Sequence, residues 1–77
     1  MARANRTDKL ARLAKPLRPT RAPWFQADAP PGLEAAFPAP GWYWVPAGAQ
    51  VAEWLARDYV EAYHRLRRLI EDQEARP

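Results

Sequence analysis

Apolar residues recur along the last third of the chain at helical intervals. Ala52, Leu55, Tyr59, Ala62, Leu66 and Leu69 follow one another at steps of 3, 4, 3, 4 and 3, and Ala56, Tyr63 and Ile70 widen the stripe. Such a seam predicts an amphipathic α-helix from about residue 49 to residue 75. Neither Pro nor a further Gly interrupts it between Ala49 and Glu74. Near Ala47 no Ser, Thr, Asp or Asn is placed to cap it, so Gly48 is the candidate N-cap. Oppositely charged residues at i,i+4, such as Glu53–Arg57 and Glu61–Arg65, suit the solvent side of that helix. Glu71, Asp72 and Glu74 oppose the helix dipole, which predicts a frayed last turn.

A second, shorter pattern lies near the other end. Leu10, Leu13 and Leu17 share one side of a short helix over Lys9 to Lys15, with Thr7 or Asp8 as its cap. Pro16 disfavours helix at the residue before it, so the chain should become extended there. Between the two patterns, residues 22–48 hold six of the nine prolines, all three glycines and six of the nine aromatics. Simple disorder is poor in aromatics, so this segment should order as an irregular wrap over the long helix. Leu33 to Phe37 fits a single helical turn ending at Pro38. Trp42-Tyr43-Trp44-Val45 is rich in strand formers, but one strand makes no sheet. It should lie across the helix or add to a partner's sheet edge.

The expected fold is therefore mainly α and a single small domain. It comprises a basic arm over 1–21, a Pro/Trp-rich wrap over 22–48 and a long helix over 49–75. Length sharpens the problem such a chain must solve. Of 77 residues 48% are apolar, yet many of these are Ala, and with no Cys a disulfide cannot compensate for a small core. A partner or weak self-association is one remedy; the a/d seam is short for a tight coiled coil, so a monomer or weak homodimer is expected.

Charge adds a further candidate. Arg3, Arg6, Lys9, Arg12, Lys15, Arg18 and Arg21 stand at every third position, against the single acid Asp8. In polyproline II geometry they would form one straight row, whereas in an α-helix they would spiral by about 60° per step. A basic segment of this kind either binds phosphates or serves as a solubilising terminus.

Catalytic chemistry is poorly supplied. His64 is the one His, and Cys and Ser are absent. A zinc site cannot be assembled from one His without Cys, and the glycines form no phosphate-cradling loop. Neither a metal nor a cofactor is expected. The N-terminus has no apolar signal core and no run reaches a membrane span, so a cytoplasmic site with no membrane contact is expected. The function expected is that of a non-enzymatic binding protein, such as an accessory subunit, an assembly factor or an inhibitor. It would dock on a larger protein, or on a ribonucleoprotein or DNA-associated complex. Trp42, Tyr43, Trp44, Trp54, Leu66, Leu69 and Ile70 are the contact candidates, Trp being the residue most enriched at hot spots. Trp54 has a competing use, burial by the wrap beneath Phe37, Trp42 or Trp44. The alternative function is nucleic-acid binding through the basic arm.

Overall fold

The computed structural model describes residues 5–76. Asn5 opens the first helix, α1 (Arg6–Ala14): its side-chain oxygen accepts the Asp8 amide at 2.8 Å. The cap thus stands ahead of Thr7 and Asp8, and Asp8 falls in the first turn, where a carboxylate suits the dipole. Lys15 stays helical despite the following proline, and the chain tightens into a 3-10 turn over Lys15–Leu17. Arg18 then closes the turn in the left-handed conformation, φ 52° and ψ 53°, with its amide on the Lys15 carbonyl at 3.0 Å.

Three strands follow: β1 (Arg21–Gln26), β2 (Gly41–Val45) and β3 (Glu53–Ala56). They form one antiparallel sheet in the order β1-β2-β3. The last element is α2 (Tyr59–Ala75). The fold is α+β, which overturns the mainly α expectation at two places. Part of the segment expected to wrap irregularly is strand, and the long helix begins ten residues late, because residues 53–56 belong to the sheet.

Both corrections have the same physical origin. The backbone of Trp42–Val45 presents donors and acceptors on both sides, and burying it requires a partner strand on each. β1 supplies one, with Trp24 opposite Tyr43 and Phe25 opposite Trp42. β3 supplies the other, with Trp54 opposite Tyr43 and Ala56 opposite Trp42. Pro23 is tolerated because β1 is an edge strand, next to an irregularity in register between Arg21 and Trp24. Gly41 is required where β2 begins. It has φ 151°, and a Cβ there would lie 2.5 Å from the Ala56 carbonyl oxygen and 2.6 Å from Trp54 Nε1.

The α2 N-cap is Asp58, whose Oδ1 accepts the Glu61 amide at 2.8 Å, in place of Gly48. Ala52 and Leu55 match the seam's spacing, but Leu55 points into the core from a strand.

One face of the sheet carries Trp42, Trp44 and Leu55. These pack with Leu10 and Ala14 of α1 and with Ala62 and Leu66 of α2. The two helices run side by side in the same direction. Arg6 meets Tyr59 at their N-terminal ends, and Gln73 Nε2 donates to the Pro16 carbonyl at 3.4 Å near their C-terminal ends. The last turn of α2 is helical to Ala75, although fraying was expected. Arg65 bonds the carbonyls of Leu55 at 2.9 Å and Trp54 at 3.4 Å, joining α2 to β3 rather than pairing with Glu61.

The opposite face carries Trp24, Tyr43 and Trp54 in a row across the strands. The loop between β1 and β2 covers it. Phe37, which follows a hydrogen-bonded turn from Leu33, lies edge-on to Tyr43 at 5.0 Å, and Trp24 stacks on Tyr43 at 6.2 Å. The Tyr43 hydroxyl donates to the Ala39 carbonyl at 2.5 Å. The prolines thus shape a lid with its own aromatic core, on the face away from the long helix. Among the described residues, no helix is long and apolar enough to cross a membrane.

Candidate nucleic-acid interface

The described chain is electrically divided. Residues 5–21 contain Arg6, Lys9, Arg12, Lys15, Arg18 and Arg21 against Asp8 alone, while residues 22–76 contain more acids than bases. Folding does not pair the two halves. Among the described residues the one ion pair is Arg76–Asp72, at 3.1 Å within α2. The basic residues are all exposed, so their field extends into solvent.

Helical geometry decides how these charges are arrayed. Arg6, Lys9, Arg12 and Lys15 advance about 60° per step, so they cross the outer side of α1 as a short spiral. The straight polyproline row does not form. After Lys15 the 3-10 turn and left-handed Arg18 reverse the chain, returning Arg18 to the side of α1 that faces β1. Arg12, Lys15 and Arg18 thereby line a single groove of about 650 Å³, with Asp8 as its only acid and Ala11, Pro19 and Ala22 as its remaining walls. A left-handed non-glycine residue costs roughly 1–2 kcal/mol. The placement of a third cation in the groove coincides with that strained position.

The two ends of the described part of the basic series, Arg6 and Arg21, lie over aromatic rings. The Arg6 guanidinium lies 5.4 Å from the centre of the Tyr59 ring, and that of Arg21 lies 3.9 Å from the Trp24 ring. Such contacts restrict long side chains in advance, so less rotamer freedom is lost when an anion is bound. Arg3 falls outside the described residues.

The aromatic and seam candidates are distributed differently. Trp42, Tyr43, Trp44 and Leu66 are buried and present no anchor surface. Trp54 is 41% exposed on the lid side of the sheet, with its Nε1 3.4 Å from the Pro40 carbonyl. Leu69 is exposed on α2 near Arg65 and Glu53, on the helical side. Ile70 faces Leu13 and Pro16, where α1 and α2 meet. The contact candidates are therefore split between the core and separate surfaces. His64 is exposed next to Tyr63, in a shallow depression with Glu61 and Arg68.

One surface residue has no counterpart among the sequence expectations: Phe25 is 50% exposed. Tyr59, expected in the helical seam, is half-buried beneath Arg6. Phe25 left no such signal, because Ala22-Pro23-Trp24-Phe25 is an unbroken apolar run that contains a proline and shows no alternation. The signal for the start of α2 was Asp58 followed three residues later by Glu61, the spacing of a capping box. Comparison with protein-family models, with curated proteins and with solved structures gives no match for this chain.

Proposed function

We propose that the protein is a small, non-enzymatic binding protein whose larger partner is a nucleic acid, held by its phosphates on the outer side of α1 and the turn into β1. The observation that carries this reading is the groove lined by Arg12, Lys15 and Arg18, three exposed cations without an ion-pair partner among the described residues. A polyphosphate chain neutralises such a cluster and releases its own condensed counterions, the main source of sequence-independent affinity. Docking on a protein through the tryptophans is less well supported, because Trp42 and Trp44 fill the core. Trp54 and Leu69 stay accessible but lie on opposite sides of the sheet.

The test is binding to labelled DNA and RNA, titrated with salt. Affinity should fall with a log–log slope of about 0.7–0.9 per phosphate engaged. Replacing Arg12, Lys15 and Arg18 together by Ala should flatten that slope by about 2–3 and weaken all sequences alike. Replacing Arg67 and Arg68 should do less, because neither lines that groove.

Arg18→Gly separates function from folding. Gly accepts the left-handed turn without strain, so stability should hold while the salt slope drops by nearly one. Salt-independent binding, none at low salt, or a larger effect from the α2 pair would refute the assignment.

A further inference from the structure

Resting on the nucleic-acid reading, we infer that the strand bound is single-stranded, and that Phe25, braced by Trp42, is the platform on which its bases stack. The described part of the basic series starts at this cluster. Arg6 lies over Tyr59, whose ring is 6.3 Å from that of Trp42 at an interplanar angle of 64°. Phe25 meets the other side of Trp42 at 5.6 Å, also at 64°. The three rings therefore form one connected group at the end of α1 where the cations start.

Phe25 differs from its neighbours in what it leaves uncovered. Pro23, two residues earlier on the same side of β1, is fully buried. Phe25 lies further along the strand, with its ring braced by Trp42 and half of its surface open to solvent. A half-exposed benzyl group gains little from a duplex, whose bases show only their edges and whose exterior is charged. Unstacked bases of a single strand offer π-faces that a braced ring can cover while the phosphates follow the adjacent cations. Electrostatic tracking combined with aromatic stacking is the general design of single-strand binding surfaces. Bracing also matters, because a ring already held by Trp42 loses little freedom when a base lies against it.

Labelled oligo(dT) of about 12 nucleotides, within the 4–16 nucleotides typical of such surfaces, and a duplex of the same length serve as probes. Fluorescence anisotropy at matched low salt should show tighter binding of the single strand. Phe25→Leu keeps an apolar group against Trp42 but removes the π-face. It should weaken single-strand binding by about 5- to 150-fold, the equivalent of one lost stacking contact, and leave duplex binding and the salt slope unchanged. Phe25→Trp should retain affinity, and its added fluorescence should be quenched by oligo(dT) but not by duplex. Thermal melts of both variants check that the fold persists.

Equal single-strand affinity in Phe25→Leu, duplex preference in the parent, or an unquenched Trp at position 25 would overturn the stacking platform. Those results would leave the basic face standing if the Arg12, Lys15 and Arg18 triple variant still lost binding. Loss of binding to both probes in Phe25→Leu with an intact melt would also overturn it.

Discussion

Tyr43 is the residue through which the proline-rich lid holds to the sheet, and two substitutions separate its contributions. Its side chain is 1% exposed, set between Trp24 and Phe37, and its hydroxyl donates to the Ala39 carbonyl at 2.5 Å. The Ala39 amide in turn approaches that hydroxyl at 3.4 Å. Tyr43→Phe keeps the rings packed and removes both polar contacts. The expected loss is about 1–2 kcal/mol, a hydrogen bond together with the cost of a poorly solvated carbonyl. Tyr43→Ala removes the ring on which the lid rests, with an expected loss of about 3–5 kcal/mol. A chain of this length has a total stability of only about 4–12 kcal/mol. The Ala variant should therefore lose about a quarter or more of its stability. Urea unfolding followed by Trp fluorescence and far-UV circular dichroism would measure both, with the linear slope checking that compactness is unchanged. Limited proteolysis should show the Phe variant cut faster within residues 27–40 while its helices stay protected. If Tyr43→Ala melts within about 1 kcal/mol of the parent, the lid does not depend on this residue, and the aromatic layer is not a second core.

Two further outcomes follow from burial and capping. Leu66→Ala should cost about 2–5 kcal/mol, because Leu66 is completely buried, whereas Leu69→Ala should cost well under half as much, being 36% exposed. Equal losses in thermal melts would contradict the placement of α2. Asp58→Ala should lose about 0.5–2 kcal/mol in thermal melts by removing the cap on the Glu61 amide; a melt unchanged from the parent would contradict the helix start at Tyr59.

Much of the chain was legible from local pattern alone. The seam from Tyr59 onward identified α2 and its buried positions Ala62 and Leu66. Leu10, Leu13 and Leu17 identified the inner side of α1, and the strand formers of Trp42–Val45 marked an extended segment. The six described cations of the basic segment, from Arg6 to Arg21, are counted directly from the sequence. These features depend on neighbours a few residues apart, and local periodicity reports them.

The sheet was not legible, because strand pairing joins residues far apart and leaves only weak local marks. Leu55 satisfies a helical step from Ala52 and, equally, an alternation in which Trp54 points the other way. Over four residues the two periods cannot be told apart. The hydrogen-bonding needs of the buried β2 backbone decided in favour of strand. That choice moved Trp42 and Trp44 into the core and Trp54 to the far face. It also brought β1 alongside α1, so that Arg18 meets Arg12 and Lys15 across a groove and Phe25 joins Trp42. Residue types and charge belong to the sequence, but which of them share a surface is a property of non-local pairing, and only the tertiary structure could settle it.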